Sequence, residues 1–289
     1  MATATVRPKE SPAAYRDKAL KSLDKLPPLA PSVGRLLSKL AFCNVNYKEL
    51  ASFVEKDALL CAHILRTVNS AAYASSRTIT SLTQAMTLLG ISALRRIAIG
   101  FTLSGLFNKT KAAASWSRMR FNLHSGATAI LTEAIADEMP ADGKEGAFVA
   151  GMFHDLGRLL IAVGLPERYE TIVTLHQMSG KPIAQCERDA IYIDHAELSS
   201  IALKKWGLPE LVCLAAAYHH EPDAKGAPWL ATVVNRADQF VNHLGISVLM
   251  NGLGGAQPPS LDIPGVHYDQ SKVLQRFERE WKDLSSFFQ

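Results

Sequence analysis

No stretch of this 289-residue chain alternates apolar and polar residues over the length of a strand; apolar positions recur three and four apart almost throughout. A chain patterned this way buries its apolar stripes helix against helix, so the fold class is read as all-α. Residues 1–25 are polar and proline-containing, and Pro27, Pro28 and Pro31 make a stiff approach to a helix over Val33–Phe42. Leu50, Phe53 and Val54 mark a second helix, Tyr47–Val54. Asp57 is placed as the N-cap of a third, which runs through Leu60, Ile64 and Val68 to the small residues at 69–72. Ser81 with Gln84 forms a capping-box pattern, and Gly90 closes that short helix. Ile91–Leu106 is apolar nearly all round and offers no face to solvent, so it is expected deep between neighbours.

The polar stretch Asn108–Ser117 divides this group of helices from a second one. There, helices are expected over about 116–139, 145–163, 166–178 (stopped by Gly180), from Asp194 onward, 208–219 and 228–243. Asp194 with Glu197 repeats a capping pattern and puts His195 in the first turn. Residues 251–266 are rich in Gly and Pro and read as a loop. Val273, Leu274, Phe277, Trp281, Leu284 and Phe288 share one side of a last amphipathic helix. The expected architecture is a two-lobed helical bundle.

Composition narrows the function. The net charge of +4 is spread out, with Arg95-Arg96 the only tight basic cluster, so no nucleic-acid partner is expected. No run reaches the roughly 18–20 uncharged apolar residues that span a bilayer, and residues 1–18 lack the apolar core of a secretory signal. Cys43, Cys61, Cys186 and Cys213 are scattered without a CxxC pair and read as reduced thiols. The expectation is a cytoplasmic protein without a membrane partner.

The informative residues are histidines and aspartates. His124, His154-Asp155, His195, His219-His220 and Asp238 fall on successive helices. Imidazole nitrogen with carboxylate oxygen suits Fe, Mn, Zn or Ni, and helical bundles assemble such centres from several helices. Adjacent His and Asp on one helix project about 100° apart, so both reach ions beside it. A divalent ion held there lowers the pKa of a coordinated water towards neutrality. Arg158 follows His154 by four residues; that spacing fits an anion ligand and equally a solvated helix-face cation. Taken singly, each histidine also reads as a hydrogen-bonded core or capping residue. His63, His176, His243 and His267 are read as core or surface residues. It is the order H…HD…H…HH…D that points to a metal.

At these residues the chain resembles the HD superfamily of metal-dependent phosphohydrolases, whose signature corresponds here to His124, His154-Asp155 and Asp238. His195 and His219-His220 resemble the additional ligands of the HD-GYP branch. That branch's Gly-Tyr-Pro segment is absent, with EPDAKGAPW in its place, and its lysine after His-Asp is Arg158. The first half is more specific. LPPLAPSVGRLLSKL, DALLCAHILRTVNSA and AMTLLG, continued by GMFHDLGRLLI and by DHAELSSIALKKWGLPELVCLAAAYHHEP, resemble the HDOD (HD-related output domain) family over residues 22–225. The resemblance implies a 1–21 extension, an N-terminal lobe to about residue 107, an HD-like lobe from about 116, and C-terminal helices over 226–289 completing it. It further implies a bacterial signalling module with protein partners and one or two divalent ions on the seven ligand-type residues. The alternative is a phosphohydrolase acting on a nucleotide or cyclic nucleotide, with Asp155 orienting the metal and Arg158 holding a substrate oxygen.

Overall fold

The computed structural model describes residues 12–25, 47–56, 58–69, 78–105, 111–140, 144–249 and 258–285. Among them the regular structure is helical, with one isolated bridge between Ile263 and Val266. The expected helix Val33–Phe42, Asp57 and the loop segment 251–257 lie outside the described residues.

The helices are α1 (Pro12–Ser22), α2 (Tyr47–Val54), α3 (Ala58–Val68), α4 (Leu82–Gly105), α5 (Arg118–Asp137), α6 (Ala147–Phe153), α7 (Leu156–Gly164), α8 (Pro166–Ser179), α9 (Ile183–Ile191), α10 (His195–Lys205), α11 (Glu210–Tyr218), α12 (Trp229–His243) and α13 (Gln270–Ser285). Helix α1 was not marked by the polar residues around it; Pro12 opens it, at a position where a missing N–H costs nothing. Gly90 takes φ 73° inside α4, so the expected stop is a sharp kink from which a second helix continues at once.

Helix α5 organises the second lobe. Ser117 caps it by accepting from the Arg120 N–H, and from Phe121 to Ala136 nearly every side chain is buried. A helix buried on all sides needs neighbours all round: α6, α12 and α13 pack directly against it. Val273 and Phe277 of α13 are buried, and Arg276 ties that helix to Asp137 of α5 at 2.6 Å. One apolar core runs through both lobes, taking in Leu50, Ile64, Met86 and Leu94 together with Phe121, Phe148 and Phe153. Helix α1 lies against α7 and α9, with Ala19 buried and Arg16 paired to Glu197 of α10. Among the described residues one 18-residue stretch, Ala147–Gly164, is long and apolar enough to cross a membrane, and 94% of it is buried inside the fold.

Candidate metal centre

All seven ligand-type residues come together. His124 sits in the first half of α5 and Asp238 within α12. His195 opens α10, while His219 and His220 follow the last turn of α11. His154 and Asp155 do not share one continuous helix as expected: α6 ends at Phe153, Asp155 takes φ −96° and ψ 11°, and α7 starts at Leu156. That backbone lies in the sparsely populated bridge region, and it turns the Asp155 carboxylate to the middle of the cluster. Gly157 makes the next approach possible. A Cβ there would stand 2.1 Å from the His195 carbonyl oxygen, so α7 touches the start of α10 backbone to backbone. The Gly157 N–H donates to Ser199 Oγ at 2.8 Å across that contact.

The tautomers follow from the partners of Nδ1. A carbonyl only accepts, so His124 Nδ1–H donates to Ile246 O at 2.8 Å, His154 Nδ1–H to Gly151 O at 2.7 Å and His219 Nδ1–H to Ala216 O at 2.7 Å. His195 Nδ1–H donates to Glu187 Oε2 at 2.6 Å. Each ring therefore turns its Nε2 inward, which is how a protein presents imidazole to a metal.

The donors form two groups that share Asp155: His124, His154 and Asp155 in one, and Asp155, His195, His219 and His220 in the other. In the first, His124 Nε2 and His154 Nε2 are 3.4 Å apart, and each lies 3.5–3.6 Å from Asp155 Oδ2. Asp238 Oδ1 completes the set at 3.1 Å from His124 and 3.6 Å from His154. Four donors about 2.1 Å from an ion stand roughly 3.4 Å from one another in a tetrahedron, so this spacing fits a divalent metal. In the second group, Asp155 Oδ1 is 3.1 Å from His195 Nε2 and 3.8 Å from His219 Nε2. His220 Nε2 stands 2.8 Å from His195 Nε2.

Unmet hydrogen-bonding capacity points the same way. Both Asp155 oxygens and His219 Nε2 are buried without a hydrogen-bond partner. His195 Nε2 and Arg158 Nε approach Asp155 to 3.1 Å each, but as ionic contacts rather than aligned hydrogen bonds. Leaving a buried acceptor unpaired costs about 1–3 kcal/mol, and a shared metal pair would satisfy these atoms together.

Electrostatics keep the donors in ligand form. Burial alone would raise the Asp155 carboxyl, but Arg158, His154 and His195 hold it well below the usual carboxylate range. Asp238 is likewise held well below that range, its burial overcome by His124 and His154. Burial, reinforced by His154 and His195, pushes His219 down to about 3, and burial with the rings of His219 and His195 holds His220 well below its ordinary value. Two rings run the other way: against their burial, Glu187 and Asp155 raise His195 to about 9, and Asp155 and Asp238 raise His154 above its ordinary value. Arg158 is not the solvated cation its spacing also allowed, since it is 7% exposed with its guanidinium against Asp155.

Three contributors were not identified from the sequence. Glu187 is 1% exposed and accepts from both the backbone N–H and the ring of His195. It lies on α9, a helix not assigned from the pattern, although Ala184, Glu187 and Ile191 fall at buried spacing and an acid on that face is the available signal. Asn235 donates to the His219 carbonyl at 2.8 Å, and Asn242 donates to Asp238 at 2.7 Å.

Comparison with known proteins agrees with the fold. A family model described as the HDOD domain matches residues 26–222. An HDOD domain protein of unknown function from Geobacter sulfurreducens superposes with a TM-score of 0.74 at 21% identity, covering 96% of this chain and 98% of its own. A protein from Marinobacter aquaeolei VT8 with a provisional signal-transduction assignment gives 0.73 at 18% identity, over 100% of this chain and 69% of its own. One from Shewanella amazonensis SB2B with a provisional phosphohydrolase assignment gives 0.69 at 20%, over 94% and 98%. An uncharacterized protein of Treponema pallidum (strain Nichols) is 20% identical over 202 residues, and this chain spans 38% of its length.

Proposed function

The chain belongs to the HDOD family, and from that premise we propose that it is a bacterial regulatory module acting through protein contacts, with a divalent-metal centre in its second lobe. The observation that carries the metal is Asp155, whose two buried oxygens accept no hydrogen bond and each face a separate set of imidazoles. One ion would be held by His124, His154, Asp155 and Asp238, and a second by Asp155, His195, His219 and His220. Such ions supply positive charge and Lewis acidity, and their binding free energy adds to the stability of the folded lobe.

Burial favours regulation over turnover. Structural metal sites are closed by protein ligands, whereas catalytic ones keep a position open. Here His124, His154, Asp155, His195, His219 and Asp238 are all buried, and His220 alone of the seven is partly exposed. Arg158, which could otherwise hold a substrate phosphate, spends its charge on Asp155. A metal-dependent phosphohydrolase is the second reading, favoured by the shared carboxylate between two donor groups.

A panel of phosphomonoesters, nucleotides and phosphodiesters, offered to protein loaded with Fe, Mn, Ni or Zn, separates the two. The regulatory reading expects no multiple turnover. Turnover abolished by His154→Ala would replace it with the enzyme.

A further inference from the structure

Resting on the metal-centre reading, we propose that Glu187 is the positioning residue of one half of that centre. It serves the half made by His195, His219 and His220, and the half made by His124, His154 and Asp238 does not depend on it. One oxygen of Glu187 accepts twice from the same residue, from the His195 backbone N–H at 2.8 Å and from its Nδ1–H at 2.6 Å. The backbone bond satisfies one of the N–H groups left free at the start of α10, and the ring bond sets both tautomer and orientation. With main chain and ring fixed together, His195 Nε2 is set between Asp155 Oδ1 and His220 Nε2.

The other rings are held differently. His124, His154 and His219 are anchored on backbone carbonyls, which are neutral acceptors. His195 is backed by a carboxylate, a stronger acceptor that increases the donor strength of the opposite ring nitrogen. A carboxylate at 1% exposure carries a desolvation cost that its position must repay, and the chain turns sharply to bring it there. Tyr192 takes a left-handed φ of 59° after α9, so that His195 folds back over Glu187. Arg188 and Asp194 pair across the same corner.

The test is titration of zinc alone into the metal-free full-length protein, reading stoichiometry and affinity for wild type, Glu187→Gln and Glu187→Ala. His195→Ala marks the half concerned. Glu187→Gln keeps the shape and an acceptor oxygen but removes the charge, and should weaken one zinc equivalent about 10- to 100-fold while leaving the other unchanged. Glu187→Ala should lose the equivalent that His195→Ala loses; if the alanine variant does not fold, the glutamine variant decides. Equal weakening of both equivalents, or of neither, overturns the proposal while the metal centre stands. Wild-type protein that takes up no zinc overturns both.

Discussion

Gly157 and His195 meet backbone to backbone: a single carbon added to Gly157 would lie 2.1 Å from the His195 carbonyl oxygen and 2.7 Å from its Cα. Main chain at that range cannot step aside as a flexible side chain can. The contact joins the helix leaving Asp155 to the helix that begins at His195, so its closeness sets how near those two donors stand.

Gly157→Ala is therefore expected to destabilise the protein by roughly 1–3 kcal/mol, the usual cost of overpacking a well-filled core. It should also weaken metal binding at the His195 side. Denaturant unfolding checks the first and metal titration the second. A variant with wild-type stability and affinity would show that the two helices are not held by this contact.

The response to metal should grow with pH. In the metal-free protein, the raised value of His195, about 9, gives stability that is present below the ordinary value of ~6.5 and lost as pH rises through about 9. His219, lowered to about 3, acts on the other side: below pH ~6.5 the unfolded chain takes up a proton that the folded one refuses, so stability falls with pH there. A metal needs His195 neutral, so each unit of pH below about 9 should cost about tenfold in affinity for the ion it holds. The rise in melting temperature on adding zinc should be larger near pH ~8.5 than near ~6. An equal rise at both would mean that His195 gives up no proton to the ion.

These relationships were legible to different depths. The ligand set could be read because each member is a His or Asp and their order along the helices is distinctive. The all-helical class followed from the spacing of apolar residues. The break between α6 and α7 was hidden, because GMFHDLGRLL continues the apolar pattern straight through Asp155 with no proline to mark it. The partners of the rings were hidden more deeply: Ile246, Gly151 and Ala216 act through carbonyls that every residue carries. Glu187 went unrecognised because its helix did, and its bond to His195 depends on a left-handed Tyr192, a residue type that does not advertise that conformation.

Hydrolysis of cyclic di-GMP should be absent or very weak even with metal bound. The partly exposed donor, His220, is followed by Glu221 and Asp223, both exposed. Each carboxylate costs a dianionic substrate roughly 1 kcal/mol near a surface, and Arg158 is turned to Asp155 instead of this edge. Protein loaded with Fe, Mn, Ni or Zn in turn gives the check, and product beyond one equivalent per chain would contradict the expectation.

The two lobes should unfold together. Residues 108–289 expressed alone would lack Leu50, Ile64 and Leu94, which belong to the same apolar core as Phe121 and Phe148. The fragment should be insoluble or lack a sharp transition. A soluble fragment with a cooperative melt would make the second lobe an independent domain.

Elemental analysis of protein purified without chelators or an affinity metal shows at once whether these seven side chains hold metal. The wild type should carry one or two divalent ions per chain, matching the two donor groups that share Asp155. The double variant His154→Ala, Asp155→Ala should carry much less and should lose the rise in melting temperature that added metal gives the wild type. Wild-type protein from a metal-replete preparation that carries no ion, and melts as the double variant does whether or not metal is added, would contradict it.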